Sequence, residues 1–151
     1  KRKEKTLEKV KDSPSSTVPK VQEQEPTDNP TPEALLRKAK DHLAAGREVA
    51  AEAALRRHFS LYPKEKTHTE ALYRYAEASF NQKKYQEAAT RFQDVLNANA
   101  KSAFGAWALF RQGECFAALG DGESAKTFYE DVVKDYPKSK AAVEAKKRLS
   151  R

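Results

Sequence analysis

Residues suited to redox, disulfide or metal chemistry are scarce in this chain. Its 151 residues include one cysteine, three histidines and no methionine. A single cysteine cannot form an internal disulfide, and Cys115 has no second thiol at a metal-ligand spacing. It lies in the apolar stretch 114–117, so we expect it to be a buried, small hydrophobic side chain.

Catalytic and metal-binding arrangements are missing from the sequence as well. His42, His58 and His68 fall in different predicted helices or loops, and none has a second ligand at helical spacing. No Ser-His-acid arrangement and no glycine-rich phosphate loop can be assembled, and Gly-Asp-Gly at 120–122 is better explained as a turn. We therefore predict that the protein is not an enzyme and has no metal, no catalytic residue and no cofactor.

Long apolar runs are also missing. No stretch approaches the ~20 apolar residues needed to cross a bilayer, and the chain begins Lys1-Arg2-Lys3 with no signal peptide. Because it contains no methionine even at its start, we expect a mature product or a piece of a longer protein. A targeting or membrane segment would then lie outside the sequence.

The charge is positive but mixed. The formal net charge is +7, yet Lys and Arg alternate with Glu and Asp along most of the chain, as on a solvated surface. The most concentrated basic run is 1–11, where six basic residues accompany Glu4 and Glu8. No nucleic-acid-binding motif accompanies it, which disfavours nucleic acid as a partner.

Residues 1–30 differ in composition from the rest. They contain Pro14, Pro19, Pro26 and Pro30 with many polar residues and few apolar ones, so they cannot bury a core. We predict a disordered, basic and proline-rich tether at 1–30 and one folded domain at 31–151.

Three segments of that domain share one register at an offset of 37 residues, with no gap in their alignment. A fixed period of roughly 20 to 50 residues is typical of stacked repeat proteins. We place the repeats at about 31–66, 67–102 and 103–140. The positions in step are Leu35, Leu72 and Leu109; Ala39, Ala76 and Gly113; Ala51, Ala88 and Ala125; and Leu55, Phe92 and Tyr129.

Apolar residues at spacings of three and four predict two helices in each repeat and no strands. Thr31 is suited to cap the first helix ahead of Pro32, Pro63 ends the second, and 67–70 has the spacing of a capping box. A seventh helix at about 139–150 would cover the apolar face of the last repeat. The six repeat helices are expected at about 32–45, 47–61, 67–81, 85–98, 103–119 and from the turn at 120–122 to 136.

These residues resemble the tetratricopeptide repeat family. That repeat has Leu or an aromatic residue near its fourth position, Gly or Ala at the eighth, Ala at the twentieth, Leu or an aromatic residue at the twenty-fourth and Pro at the thirty-second. In the third repeat these are Leu109, Gly113, Ala125, Tyr129 and Pro137; in the second Leu72, Ala76, Ala88, Phe92 and Ala100; in the first Leu35, Ala39, Ala51, Leu55 and Pro63. The resemblance implies an all-α superhelix, or solenoid, of three helical hairpins plus a C-terminal capping helix.

Two departures from the family pattern stand out. The period is three residues longer than the family's 34, and His58 occupies the twenty-seventh position, where the other repeats have Val95 and Val132. The long period and the ending Tyr-Pro-Lys-Ser at 136–139 are similar to repeats of bacterial envelope proteins. Examples are the periplasmic Tol–Pal-associated coordinator of cell division and the outer-membrane lipoprotein of the barrel-assembly machine.

The resemblance also implies a partner-binding groove lined by the first helix of each hairpin. Aromatic and arginine side chains at its lining positions are typical of binding hot spots. Some relatives clamp the C-terminal carboxylate of a chaperone, but only Arg111 fits that clamp here, whereas Leu36, Lys40 and Arg74 depart from it. The predicted groove residues are Leu36, Lys40, Tyr73, Arg74, Glu77, Phe80, Trp107, Phe110, Arg111 and Glu114.

The sequence thus predicts a protein–protein interaction scaffold that binds a peptide or helical segment of another protein. The resemblance places it in a multiprotein complex of the bacterial cell envelope, on the periplasmic side, with homo-oligomers possible. One alternative is a cytoplasmic, membrane-tethered setting. Others are electrostatic binding of nucleic acid or anionic membrane through the basic arm at 1–11, and a structural domain packed within a larger protein.

Overall fold

The computed structural model describes residues 28–151, which contain seven helices and no strand. The predicted tether, including the basic run, lies almost entirely outside the described residues. None of the helices in the described range is long and apolar enough to cross a membrane. The helices are α1 (Pro32–Ala44), α2 (Glu48–Leu61), α3 (His68–Asn81), α4 (Tyr85–Asn99), α5 (Ala103–Ala118), α6 (Gly122–Asp135) and α7 (Lys140–Leu149).

Local sequence explains most of the helix ends. The Thr31 hydroxyl accepts a hydrogen bond from the backbone N–H of Ala34 at 3.1 Å, with Pro32 in the first turn, as predicted. The turns inside the three hairpins each contain one residue with a left-handed backbone: Gly46 (φ 70°), Lys83 (φ 62°) and Gly120 (φ 85°). These residues share one repeat register, so Lys83 adopts a conformation that favours glycine.

The predicted capping box at 67–70 is wrong. Thr67 has a helical backbone (φ −76°, ψ −6°) and its side chain makes no capping hydrogen bond. Its Oγ1 lies instead 2.7 Å from Nε2 of His58, at the end of the preceding hairpin. The Thr67 hydroxyl, which the local sequence pattern predicted to cap the helix, therefore makes a tertiary contact with His58 instead.

The hairpins stack in chain order. Each helix contacts the next one along the chain, and the first helices of successive hairpins, α1, α3 and α5, also contact one another. Among the described residues the second helices, α2, α4 and α6, make no such contacts with one another. The first helices therefore form the inner face of the stack and the second helices its outer face.

The shared register builds the core. Its small residues let the paired helices approach closely, and a Cβ added to Gly113 would lie 2.7 Å from Cε1 of Tyr129. The large residues Leu55, Phe92 and Tyr129 are buried between hairpins. Helix α7 buries Ala141, Ala142 and Ala145 against the third hairpin, which confirms its predicted role as a covering helix. Cys115 is fully buried, also as predicted.

The two junctions between hairpins differ in chemistry. Between the first and second hairpins, Glu52 of α2 accepts hydrogen bonds from Arg91 and Gln82, both at 3.0 Å, and Arg91 also contacts Ser79. At the equivalent places 37 residues later stand Ala89, Phe128 and Phe116, where the two phenylalanine rings stack 5.1 Å apart. The ionic cluster of the first junction thus has an apolar counterpart in the second, where the buried Gln112 supplies hydrogen bonds to Ala89 and Gln93 instead.

Candidate partner-binding groove

The inner face carries two neighbouring depressions. One, of about 310 Å³, lies between α1 and α3, and the other, of about 320 Å³, lies between α3 and α5. Arg74 lines both, so they form one groove along the first helices. The first is lined by Lys40, Leu43, Ala44, Arg74, Glu77 and Asn81, and the second by Tyr73, Arg74, Phe104, Trp107 and Arg111.

A chain of ion pairs crosses the first depression. The Nζ of Lys40 lies 3.3 Å from Oε1 of Glu70, and Arg74 contacts Glu70 at 3.2 Å and Glu77 at 3.0 Å. Burial opposes the charge of Arg74, but hydrogen bonds to Glu77 and Glu70 raise its pKa above the usual value. These charges are paired within the protein, although the buried Nε of Arg74 has no hydrogen-bond partner among the described residues.

The second depression is aromatic and holds an arginine with no carboxylate partner. The rings of Tyr73 and Phe104 lie 5.4 Å apart, and the guanidinium of Arg111 lies 4.9 Å from the ring of Phe80. In the described part of the chain, Arg111 forms no salt bridge, and its buried Nε has no hydrogen-bond partner. Burial raises the pKa of the Tyr73 hydroxyl, and nearby Arg111 opposes that rise. The pocket therefore offers apolar area beside a guanidinium that forms no salt bridge within the described range.

Arginine occupies the same register position in α1, α3, α5 and the covering helix α7. The four are Arg37, Arg74, Arg111 and Arg148. Three of these guanidinium groups lie over an aromatic ring. Arg111 lies over Phe80, as described above, Arg74 lies 5.6 Å from the ring of Tyr73, and Arg148 lies 5.8 Å from the ring of Phe110. Arg74 and Arg148 each bind a carboxylate, whereas Arg37 and Arg111 form no salt bridge within residues 28–151, and of these two only Arg111 lines the groove.

Three predicted groove residues are largely buried. Leu36 is 6% exposed, Tyr73 7% and Phe110 4%, because their side chains fill the spaces between hairpins. Tyr73 still contributes one wall of the second depression, whereas Leu36 and Phe110 belong to core clusters. Leu36 and Phe110 therefore present little accessible surface on this face, and their contact with a partner stays a prediction. Lys40 is exposed, and Arg74, Glu77, Phe80, Trp107 and Arg111 are half-buried along the face.

Glu114, also predicted to line the groove, is engaged by the terminal helix. Its carboxylate accepts hydrogen bonds from Arg148 at 2.8 and 3.2 Å and from the Tyr129 hydroxyl at 2.5 Å. Burial would raise the pKa of Glu114, but these hydrogen bonds and the nearby arginine charges bring it below the usual value. Helix α7 thus packs against α5 at the C-terminal end of the inner face, and the ion pair between Arg148 and Glu114 holds the two helices together.

Several groove residues were absent from the predicted set. Phe104 precedes Trp107 by one helical turn, and Asn81 follows Glu77 by one turn, so helical spacing would have found both. Arg148 follows Arg111 by the repeat offset. Leu43 occupies one of the expected lining positions of the first repeat, whereas Ala44 was not predicted.

Other sites on the described surface offer less chemistry. A larger depression of about 550 Å³ lies beside the turn at 82–84 and contains mostly exposed polar side chains, with Tyr85 its only aromatic residue. Within residues 28–151, no three His, Cys, Asp or Glu side chains are grouped so that they could hold a metal ion. A depression of about 430 Å³ beside α7 is lined by Tyr129, Arg148 and Arg151 among others. The inner-face groove brings together more aromatic side chains, Tyr73, Phe104 and Trp107, with Arg74 and Arg111.

Comparisons with known proteins agree with this fold. The family model Tetratricopeptide repeat matches residues 70–102 and 107–139, which correspond to the second and third hairpins. Among curated proteins, no relative matches the chain.

Solved structures share the architecture at low sequence identity. The TPR domain of Arabidopsis OM64 is 18% identical, with a TM-score of 0.65, over 79% of this chain and 93% of that one. The second TPR domain of human RPAP3, solved in complex with the HSP70 peptide SGPTIEEVD, is 20% identical, with a TM-score of 0.61, over 80% and 99%. A tetratricopeptide repeat protein from Parabacteroides merdae is 24% identical, with a TM-score of 0.60, over 70% of this chain and 40% of that one. At these low sequence identities, the structural similarity shows the shared fold alone.

Proposed function

We propose that this chain, whose second and third hairpins are tetratricopeptide repeats, is a protein–protein interaction scaffold. Its partner is a segment of another protein that lies along the inner face and places an apolar side chain in the second depression. The observation that carries this proposal is the pocket of Tyr73, Phe104 and Trp107 beside the guanidinium of Arg111, which forms no salt bridge among the described residues. Buried aromatic and arginine side chains dominate the energetics of most protein interfaces.

The peptide-bound RPAP3 domain supports the use of this fold for peptide recognition. The ligand of that domain does not carry over to this chain. Leu36, Lys40 and Arg74 stand where chaperone-binding relatives place Lys and Asn, and the structure buries Leu36 and pairs Arg74 with Glu70 and Glu77. We therefore do not propose a chaperone C-terminus as the ligand.

The proposed setting is a multiprotein complex of a bacterial cell envelope, on the periplasmic side. Support comes from the long repeat period and from the ending at 136–139, both similar to envelope proteins. In the structure this ending has a defined role. The Tyr136 hydroxyl donates to the backbone carbonyl of Ala100 at 2.6 Å, and the Ser139 hydroxyl caps α7 at the backbone N–H of Ala142, 3.0 Å away.

A peptide-selection experiment tests the groove. Peptides are selected from a random displayed library with the full chain, synthesised, and titrated by calorimetry against Trp107→Ala and Arg111→Glu. Removal of a hot-spot side chain costs about 2 kcal/mol or more, so we expect roughly a 30-fold loss of affinity. Val49→Ala on α2, where Val49 is 71% exposed on the outer face, is the matched control and should bind normally. Equal binding by all variants, with unchanged circular dichroism, would show that the groove assignment is wrong.

A second candidate function rests on the basic run at 1–11, which suits nucleic acid or anionic membrane. Replacing its six Lys and Arg residues with Gln in the full chain isolates this contribution. If the arm is only a tether, the replaced chain will retain the affinity of the wild type for the selected peptides. Salt-dependent binding to DNA or anionic vesicles that disappears in the replaced chain would favour the second function.

A further inference from the structure

One buried position differs in kind between the repeats. Val95 and Val132, at equivalent places in the second and third hairpins, are fully buried, and the first hairpin has His58 there, also fully buried. A histidine in place of valine adds two ring nitrogens to an otherwise apolar position and makes it titratable. The substitution lies in α2, next to the segment that joins the first hairpin to the second.

The ring of His58 is only half satisfied. Its Nε2 lies 2.7 Å from Oγ1 of Thr67, and its Nδ1 is buried without a hydrogen-bond partner. Aromatic rings surround it, with Phe59 at 5.8 Å and Tyr62 at 6.1 Å between ring centroids. Such a site accommodates a neutral imidazole with one hydrogen bond, but it offers nothing to a second N–H.

The charged groups around His58 do not favour its protonation. Glu33 of α1 and Glu65 of the connecting loop act to raise its pKa, while His68 of α3 acts to lower it. Burial is the largest effect and keeps the pKa of His58 below the ordinary histidine value of 6.5. Neither carboxylate forms a salt bridge with the ring among the described residues, so a proton on Nδ1 would remain uncompensated.

The contact between His58 and Thr67 lies where the first hairpin packs against the second. Thr67 immediately precedes α3, and Phe59 of α2 packs edge-on against His68 at 5.7 Å and Tyr75 at 5.4 Å, both in α3. The other side of this junction is the ionic cluster of Glu52 and Arg91. The apolar second junction contains none of these polar groups at equivalent positions, so an acid-sensitive contact is confined to the first.

We propose that the junction between the first and second hairpins is an acid-sensitive hinge, in which protonation of His58 releases α1 and α2 from α3. The direction of the pH dependence follows from the linkage between proton binding and docking. The unfolded or released state binds the proton more readily, so the docking free energy is complete above the ordinary histidine pKa and declines as the pH falls below it. Release would also dismantle the groove depression between α1 and α3, since Lys40 and Leu43 would leave Arg74 and Glu77.

Hydrogen exchange with mass spectrometry on the full chain tests the hinge without any ligand, so its outcome does not depend on the proposed function. Amide protection factors, corrected for intrinsic exchange, are measured at about pH 7.5 and about pH 5. In the wild type, we expect protection in α1 and α2 to fall by about tenfold or more at the lower pH, while α5 and α6 change little.

Two variants assign the effect to His58. His58→Val reproduces the residue of the other repeats, and His58→Gln keeps a hydrogen-bonding side chain without a titratable ring; each should abolish the selective loss. His42→Gln is the matched control, because His42 is a half-buried histidine of the same hairpin that bonds to Arg47. It should leave the loss intact. The proposal is overturned if α1 and α2 of the wild type keep their amide protection at about pH 5. It is also overturned if α1 and α2 of both His58 variants become less protected at that pH, as those of the wild type do.

Discussion

Replacing Glu52 with alanine should destabilise the protein strongly, because Glu52 is the hub of the ionic junction. Its side chain is 6% exposed and accepts hydrogen bonds from Arg91, Gln82 and Arg56 at 3.0, 3.0 and 3.1 Å. The variant leaves the guanidinium of Arg91, whose side chain is only 15% exposed, without its buried carboxylate. The dominant cost is therefore that a largely buried charge loses its buried partner, with only the more exposed Glu87 left to compensate it.

The structure sets the size of the effect. Breaking a buried ion pair by removing one partner costs about 3–5 kcal/mol. Arg91 keeps a contact with Glu87, its bond to Ser79 and the ring of Tyr75 at 3.7 Å, so the lower end of that range applies. The pair with Arg56 adds little, since that side chain is 59% exposed. We expect a loss of about 3 kcal/mol and, for a domain of this size, a fall in Tm of roughly 10 °C.

Urea denaturation followed by far-ultraviolet circular dichroism measures the change in the free energy of unfolding. The repeats supply a matched control. The triple variant Glu52→Ala, Ser79→Phe and Arg91→Phe installs the residues of the apolar junction, Ala89, Phe116 and Phe128. Replacement of a buried ion pair by packed apolar side chains is often neutral or stabilising, so the triple variant should lie within about 2 kcal/mol of the wild type. The reasoning fails if Glu52→Ala loses less than about 1 kcal/mol, or if the triple variant is as unstable as the single one.

Two further predictions concern the third hairpin. Gly105→Ala should lower the free energy of unfolding by about 2–3 kcal/mol, because a Cβ there would lie 2.1 Å from the backbone oxygen of Ala100. Gly122→Ala is the control and should leave stability unchanged in the same denaturation assay, since a Cβ there would have nothing within 4 Å. Equal stability of the two variants would contradict the packing argument. Burial raises the pKa of the Cys115 thiol from 9.0 to about 12, which lowers its thiolate fraction about a thousandfold. A thiol reagent should therefore label the native protein slowly and the urea-unfolded protein quickly, and rapid labelling of the native state would refute burial of this side chain.

Helix positions were largely predictable from local signals. Pro32, Gly46, Pro63 and Gly120 interrupt the backbone in ways that neighbouring residues cannot override, and the observed helix ends fall within one or two residues of the predicted ones. The exception was Thr67. Its hydroxyl had two possible partners, the helix start and His58, and only the folded arrangement brings His58 to 2.7 Å.

Repeat position identifies a helix face and not the exposure of a side chain. Trp107 and Arg111 lie in the groove, but Leu36 and Phe110 on the same face are drawn into the core by the approach of the next hairpin. The involvement of Glu114 with Arg148 depends on α7 crossing α5, a contact between residues 34 apart that no local pattern encodes.

The sequence alone determined the repeat and the number of helices in residues 31–151. These follow from periodicity and from backbone breakers, which act over a few residues, whereas the identity of the inner-face helices was implied by the resemblance to the repeat family. Tertiary structure alone decided which inner-face side chains remain accessible, that Arg111 lacks a carboxylate, and that one junction is ionic where its counterpart is apolar. Such properties depend on distances between residues far apart in the chain, and a repeat register cannot supply them because equivalent positions hold different residues with different neighbours.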